Sequence, residues 1–294
     1  MSEGDQWHTE DVADGVRVGF SLAESVGTSA CDVTWFTEKA KMELIDTEAY
    51  GKMLLIDGEL QSTERDEYIY HEMLVHPLAA VVALGGKRVK IYGGGEGAVA
   101  REVLKWIDVS RVVQVDWDAQ LLEHFRGTWT GWSQGAFSDS RLELRVADAW
   151  LDCDEDMEKY DYIIVDLPDP HDIDAFSALL RGVKRQLAPG GAFVMNAGPV
   201  QPWNGGFAEK FVGVLEELFP MPFSQAKWAQ AAWHVNVPSF AAAGEWCFLG
   251  AYAKMDTHKW TAPPEGLRRY SERVFKYARH WPDDWPEAFA RFNY

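Results

Sequence analysis

The sequence predicts an α/β protein: a doubly wound parallel sheet preceded by a small antiparallel β module. From residue 89 onward, strand-like runs alternate with longer, partly helical segments, which is typical of a parallel sheet with helices on both faces. Before residue 63 the pattern is period-two alternation followed by a tight turn, which favours antiparallel pairing.

The N-terminal module is predicted from two features. Apolar residues alternate with polar or small ones from Val16 to Leu22, as in a half-buried strand. Met53–Ile56 and Glu59–Ser62 flank Asp57 and Gly58, and an Asp-Gly pair supplies the positive φ angles of a two-residue hairpin turn.

A helix is predicted next, with Thr63 as its N-cap and the acidic residues Glu64 and Asp66 in its first turn. Pro77 is expected to break or restart it. We therefore predict two domains: residues 1–77, a β-stranded module with a linking helix, and residues 78–294, a larger domain with a Trp-rich tail.

The larger domain carries five predicted core strands. They are Val89–Tyr92, Val112–Asp116, Leu142–Val146, Tyr162–Asp166 and Ala192–Asn196. A helix is predicted from the i, i+4 spacing between Phe207 and Phe219, and a further strand over Glu245–Tyr252. The Trp- and Pro-rich tail, from about residue 255, is expected to pack on this domain or on a partner subunit.

Composition excludes some classes of function. The 294 residues include 28 Lys plus Arg and 46 Asp plus Glu, for a net charge of −18, which disfavours binding to nucleic acid and permits a cationic ligand. Cys31, Cys153 and Cys247 lack CxxC spacing, which suggests a reducing compartment and no metal cluster. There is no apolar run of membrane-spanning length, and the acidic N-terminus resembles no signal peptide, so we expect a cytoplasmic protein with no membrane partner.

A glycine-rich turn is the strongest local signal. The strand ending at Tyr92 is followed by the run Gly93–Gly97, which reads GGGEG, and then by a predicted helix. This arrangement brings bare backbone close to a ligand, although a tight turn without a ligand has the same pattern.

Acidic residues indicate which ligand the turn holds. Asp116 ends the next strand, 19 residues beyond Gly97, where a carboxylate accepts hydrogen bonds from ribose hydroxyls. Glu96 would repel a phosphate at the helix N-terminus and suits a cationic nucleoside, which favours S-adenosylmethionine or a relative over a dinucleotide. Asp148 follows a third strand and is placed to accept from an adenine amino group, or simply to cap a helix.

Two further carboxylates, Asp166 and Asp169, follow the strand that begins at Tyr162, and two prolines stiffen their loop. Such a pair can hold an ammonium group and remove a proton from it, although Asp and Pro are also common in plain turns. His71 and His76 lie five residues apart, without the Cys or His neighbours of a zinc site. The chain has no GxSxG or P-loop lysine motif, so neither a serine hydrolase nor an NTPase is supported.

Taken together, these residues resemble the aminopropyltransferases, the spermidine and spermine synthase group, from about Tyr50 to about Tyr252. The matching stretches are YGKMLLIDGELQSTERDEYIYHEMLVHP, GGGEGAVAREVLKW, VVQVDWD, VADAW, YDYIIVDLPDP, NAGPV, VPSF and GEW. The glutamate in GGGEG, the DLxDP loop, the AGP tripeptide and VPSF are most similar to the thermospermine synthase branch.

The resemblance implies a Rossmann-like, methyltransferase-type doubly wound domain after the β module. It implies transfer of an aminopropyl group from decarboxylated S-adenosylmethionine to an amine, without a metal or other cofactor, in a homo-oligomer. It assigns catalysis to Asp166, acceptor binding to Tyr70 and Asp169, and donor binding to Gln61, His71, Gly93, Gly95, Glu96, Asp116, Asp148 and Ala149.

The chain departs from the family pattern around the acceptor. Ala40 and Asn196 stand where the family often has glutamine, and HDIDAFSALL replaces the usual Leu-Tyr and Phe-Tyr pairs. Four functions stay open: formation of thermospermine from spermidine, formation of spermidine from putrescine, methyl transfer from S-adenosylmethionine, and binding without turnover. The resemblance favours the first.

Overall fold

The N-terminal part of the chain forms two antiparallel sheets. The computed structural model describes residues 7–13, 16–21, 33–84, 87–168, 170–220, 228–240, 243–253 and 261–293. β1 (Trp7–Ala13) pairs with β2 (Val16–Ser21), and a second sheet has the order β3 (Val33–Phe36), β4 (Lys41–Thr47), β5 (Gly51–Ile56), β6 (Glu59–Thr63). The predicted strand is β2, although Leu22 lies outside the described residues. The predicted hairpin joins β5 to β6, where Asp57 and Gly58 have φ values of 52° and 86°.

A seven-stranded sheet forms the centre of the molecule. Its order is β12 (Trp228–Val235), β13 (Glu245–Ala253), β11 (Leu187–Val200), β10 (Tyr160–Asp166), β7 (Arg88–Gly93), β8 (Arg111–Asp116), β9 (Leu142–Val146). The five predicted core strands are parallel, as expected. The predicted strand at Glu245 is confirmed but runs antiparallel to β11, and β12, which the sequence analysis missed, pairs antiparallel with β13.

Helices cover both faces of this sheet, as predicted. One face carries α1 (Glu67–Val82), α2 (Ala98–Leu104) and α7 (Glu272–Ala278), and the other carries α4 (Ala149–Glu155), α5 (Ile173–Gln186), α6 (Gly206–Leu218) and α8 (Glu287–Ala290). α3 (Ala119–Gly127) belongs to a third cluster, in which Leu121 and Phe125 are buried with Met42 and Leu54 of the N-terminal sheet. This contact fixes the N-terminal sheet beside the carboxyl ends of the central strands.

The start of α1 differs from the prediction. Thr63 is the last residue of β6 rather than a helix cap, because its backbone pairs with Met53 in the hairpin. The helix begins at Glu67 after Asp66, whose carboxylate accepts from the Thr63 hydroxyl (2.5 Å) and from the backbone N–H of Ser239 (2.7 Å).

The predicted break at Pro77 was wrong, since α1 continues through it to Val82. A proline inside a helix leaves the carbonyl four residues earlier without its donor, at a typical cost of about 3 kcal/mol. Here the indole N–H of Trp233 donates to that carbonyl, on Met73 (2.9 Å), and offsets part of the loss. The predicted domain boundary after residue 77 falls inside this helix, and the division into domains remains a prediction.

The described part of the tail, residues 261–293, packs on the central domain. The buried carboxylate of Glu72 in α1 accepts from the backbone N–H groups of Arg268, Arg269 and Tyr270 at 2.7–2.9 Å. Farther along, Trp281 is buried on the opposite face of the sheet and stacks on Phe289 with ring centroids 4.1 Å apart. Within the described part of the chain, no helix has both the length and the apolar character needed to cross a membrane.

Candidate active site

The site lies where the strand order of the central sheet reverses, between β7 and β10. Asp166 pairs with Gly93 in register, and the N–H of Gly94 donates to the Asp166 carbonyl at 3.2 Å. A Cβ atom added to Gly93, whose φ is 86°, would lie 2.0 Å from that carbonyl oxygen. Only glycine fits this approach, which places the glycine-rich turn directly against the strand end that carries Asp166.

Gln114 of β8 holds the glycine turn through its side-chain amide. Its side chain is fully buried, and Nε2 donates to the carbonyl oxygens of Gly93 (3.0 Å) and Gly94 (2.6 Å). The sequence analysis missed this residue. The available signal was a single amide in the otherwise apolar run Val112–Val115, because a buried polar side chain needs partners.

Asp116 lies at the end of β8 and faces the turn. A Cβ on Gly95 would lie 2.8 Å from its Oδ2 atom. Burial, with the charges of Glu96 and Asp166 as smaller causes, raises the pKa of Asp116 to about 7. The hydrogen bond from the Asp118 N–H (2.9 Å) opposes this increase. The pocket therefore holds mutually repelling carboxyl groups, and such a pocket favours a cation.

Tyr70 connects α1 to the acidic cluster. Its hydroxyl donates to Oδ1 of Asp166 at 2.6 Å. Its ring meets Phe248 and Trp246 edge to face, with centroids 5.2 and 6.3 Å away, and Trp246 packs on Phe240 at 4.6 Å. A wall of aromatic rings thus stands beside the carboxylate of Asp166, and such rings attract both alkyl chains and ammonium groups.

His71 lies between two glutamates. Nδ1 is 2.8 Å from Oε2 of Glu67, and Nε2 is 2.9 Å from Oε1 of Glu96. Burial alone would lower the pKa of His71, but the bonds and charges of both glutamates outweigh burial and raise it to about 10. His71 is therefore an imidazolium at neutral pH. Polar atoms of His71, Glu96 and Asp166 all lie within 4.8 Å of one another.

Comparisons with known proteins identify the family. A family model described as the spermine/spermidine synthase domain matches residues 67–204. The chain is 36% identical over 278 residues to the thermospermine synthase ACAULIS5 of Arabidopsis thaliana, covering 91% of this chain and 75% of that protein. The chain belongs to the spermine/spermidine synthase family.

A second curated relative agrees with this membership, and a solved structure has the same fold. The chain is 43% identical over 174 residues to the polyamine aminopropyltransferase of Synechococcus sp. (strain JA-3-3Ab), a match that covers 56% of this chain and 56% of that relative. The spermidine synthase of Thermotoga maritima has the same fold, with a TM-score of 0.77 and 21% identity over 94% of this chain and 92% of the other. The fold class and the family inferred from sequence motifs are thus confirmed.

Of the donor-binding residues that the family resemblance implies, the structure brings Gly93, Gly95, Glu96, His71 and Asp116 together around the glycine turn. Their roles in binding a donor stay predictions.

Asp148 and Ala149 lie at the start of α4. The Asp148 carboxylate accepts from the N–H groups of Trp150 (2.9 Å) and Leu151 (3.1 Å) and caps this helix. The cap alternative is therefore realised, and a contact between Asp148 and adenine remains a prediction. Gln61 is half-buried in β6, and its amide donates to the carbonyl of Glu59 (3.2 Å).

Two residues, Tyr70 and Asp169, are implied to bind the acceptor. Tyr70 is in place against Asp166, whereas Asp169 lies outside the described residues and stays a prediction. Ala40 precedes β4 and packs beside the cluster formed by α3 and the N-terminal sheet.

Asn196, the second departure from the family pattern, has a clear structural role. Its Nδ2 donates to the carbonyl of Leu167 (3.2 Å), and its Oδ1 accepts from the Trp246 indole (2.9 Å) and the Gly198 N–H (2.9 Å). Asn196 therefore joins the loop after Asp166 to the aromatic wall.

Proposed function

We propose that this family member transfers the aminopropyl group of decarboxylated S-adenosylmethionine to spermidine, giving thermospermine and methylthioadenosine. The observation that carries the proposal is the Asp166 carboxylate, held by Tyr70 beside Glu96 and the glycine turn. The 36% identity to a protein named thermospermine synthase supports the choice of acceptor.

The donor would lie along the glycine turn. Asp116 would accept from its ribose hydroxyls and Glu96 would face its ammonium group, while the acid-rich pocket favours the sulfonium. Glycine is required at positions 93 and 95, because a Cβ atom there would collide with Asp166 or with Asp116, the two acids beside the turn.

The reaction itself is a displacement at the carbon next to sulfur. The lone pair of the acceptor amine forms the new C–N bond, and the C–S electron pair leaves with the sulfur, which becomes a neutral thioether. An alkylamine is mostly protonated at neutral pH, because its intrinsic pKa of about 10 resembles that of lysine. Asp166 accepts the proton that leaves the nitrogen, and Tyr70 orients the carboxylate.

We propose that no metal takes part. The sulfonium is already a good leaving group. His71 also lacks a free lone pair, since both ring nitrogens carry protons directed at Glu67 and Glu96. We further propose a homo-oligomer, as the family resemblance implies, and a cytoplasmic location, in keeping with the buried free thiols of Cys153 and Cys247.

The second candidate is spermidine synthase activity with putrescine as acceptor. It is favoured by one observation about Asp172. A longer amine needs an anionic partner at its far end, and Asp172 and Asp174 are the acids that follow the loop after Asp166. The Asp172 carboxylate instead caps α5 by accepting from the N–H groups of Asp174 (2.9 Å) and Ala175 (3.0 Å).

A competition assay tests the proposal. The purified protein is given donor labelled in its aminopropyl group, with putrescine and spermidine at equal concentration, and the products are separated against spermidine, spermine and thermospermine standards. Label chiefly in thermospermine supports the proposal. Label chiefly in spermidine supports the second candidate, and labelled spermine would show attack by the other end of the acceptor. Absence of transfer to either amine overturns aminopropyl transfer.

A further inference from the structure

A hydrogen-bonded network of buried polar side chains leads from the interface between α1 and α2 to the glycine turn. Its members are linked in the order Trp106, His76, Glu102, Arg101, Glu67, His71, Glu96. The carboxyl groups of Glu67 and Glu102 and the ring of His71 are almost completely buried. Each charge is therefore stabilised mainly by the oppositely charged neighbour in the network.

Trp106 fixes the end of this network that lies farthest from the glycine turn. Its indole N–H donates to Nδ1 of His76 at 3.1 Å, so Nδ1 must carry a lone pair. The proton of His76 is therefore on Nε2, which donates to Glu102 at 2.8 Å. Glu102 in turn accepts from Arg101 Nε (2.8 Å) and from Lys105.

Arg101 links Glu102 to Glu67. Its two terminal nitrogens make a forked pair with the Glu67 carboxylate at 3.0 and 2.8 Å, and Nη1 also donates to the carbonyl of Trp132 at 2.6 Å. A bidentate pair fixes the carboxylate in orientation as well as in charge. Glu67 is thus kept ionised with Oε2 directed at Nδ1 of His71.

We infer that Glu67, clamped by Arg101, is a positioning residue that keeps His71 doubly protonated and so fixes the carboxylate of Glu96 at the donor pocket. The inference rests on the proposed function in one respect, that Glu96 binds the donor. An imidazolium is the state of His71 that donates to both glutamates at once.

The charges of the pocket explain why the protonation state of His71 matters for Glu96. Glu96 shares the pocket with Asp116 and Asp166, and their repulsion already contributes to the raised pKa of Asp116. The positive ring of His71 opposes that repulsion. Without the Glu67 carboxylate, the proton on Nδ1 keeps only the neutral backbone carbonyl of Glu67 (2.8 Å) as its acceptor. The negative charge that holds the ring positive is then lost, and the ring is free to become neutral. Glu96 would then lose an ionic partner and its fixed orientation.

The first test is spectroscopic and needs no substrate. The protein is labelled with 15N-histidine, and the His71 signals are assigned by their loss in His71→Gln. In the wild-type protein both ring nitrogens should stay protonated to about pH 9, in line with a pKa of about 10. In Glu67→Gln the titration should move down toward the ordinary value of about 6.5. A singly protonated His71 at pH 7.5 in the wild-type protein would overturn the inference.

The second test uses kinetics. Glu67→Gln should raise the donor KM about 10- to 100-fold at pH 8, the scale of a lost bond to a charged group, with a smaller change in kcat. Arg101→Lys keeps a charge but loses the fork, and should give an intermediate increase if Glu67→Gln does not fold. An unchanged donor KM in both variants would overturn the inference.

Glu72→Gln is the matched control. Glu72 is also a buried glutamate of α1, but its carboxylate accepts from backbone N–H groups of the tail. This variant should lose stability while leaving the His71 titration and the donor KM unchanged, and an equal shift in all three variants would mean a general structural effect and overturn the inference. Absence of turnover in the wild-type protein would overturn the proposed function and leave the spectroscopic result standing.

Discussion

The hydroxyl group of Tyr70 lies 2.6 Å from Oδ1 of Asp166, across 96 residues of sequence. The bond joins the first helix to the carboxyl end of β10 and orients one oxygen of the carboxylate. Because Gly93 pairs with Asp166 in the neighbouring strand, the same carboxylate is fixed relative to the glycine turn.

The first prediction concerns catalysis by Asp166. Asp166→Asn keeps an acceptor for Tyr70 but removes the base, so kcat should fall by about 100-fold or more. Tyr70→Phe keeps the base and loses its orientation, so kcat should fall by about tenfold. Donor binding, measured by calorimetry, should change little in either variant. Near-normal turnover of Asp166→Asn would make Asp166 a structural residue.

The second prediction compares two glycines with the same positive φ angle. Gly93 and Gly58 both have a φ of 86°, but an added Cβ meets the Asp166 carbonyl at 2.0 Å at position 93 and no atom within 4 Å at position 58. Gly58→Ala should cost about 1 kcal/mol of unfolding free energy through backbone strain alone, with normal turnover. Gly93→Ala should be clearly less stable and should lose donor binding, as measured by thermal unfolding and calorimetry. Equal effects in the two variants would refute the close approach at Gly93.

Much of the donor side could be predicted from sequence because its signals are local. A glycine turn after a strand, and acids at the next strand ends, must meet at one edge of a parallel sheet, and Gly93, Asp116 and Asp166 do so. The family motifs placed Tyr70 and His71 beside them.

The parts that escaped prediction depend on partners distant in sequence. Pro77 signals a helix break on local grounds, and only the indole of Trp233, 160 residues from the Met73 carbonyl, makes the continuous helix acceptable. The fork between Glu67 and Arg101, 34 residues apart, leaves no pattern in either segment. Asp148 and Asp172 illustrate a different difficulty, because a carboxylate before a helix has the same sequence pattern whether it caps the helix or binds a ligand.

The third prediction concerns proton release. With a pKa of about 7, Asp116 is about half protonated at pH 7 in the free protein. A cationic donor favours the ionised form and lowers this pKa, so the complex holds fewer protons. Binding should therefore release up to roughly half a proton at pH 7, and affinity should rise from pH 6 to pH 8. Calorimetry in buffers of different ionisation enthalpy measures the release. Asp116→Asn should abolish it, and proton uptake by the wild-type protein would contradict the assignment.

The last prediction separates aminopropyl transfer from methyl transfer. S-adenosylmethionine differs from the proposed donor by a carboxylate, which would enter a pocket that holds Glu96, Asp116 and Asp166. Repulsion in a partly desolvated site costs roughly 1–3 kcal/mol, so the decarboxylated compound should bind about 5- to 150-fold more tightly.

Glu96→Gln provides the matching variant, because it removes one negative charge while keeping the shape of the side chain. The affinity ratio between the two sulfonium compounds should shrink in this variant, and a smaller ratio at high ionic strength is also expected, since salt screens the repulsion. Calorimetric titrations of both compounds into both proteins give the four affinities needed. Equal or reversed affinities in the wild-type protein would favour methyl transfer, because the pocket would then accept a carboxylate beside its own acids.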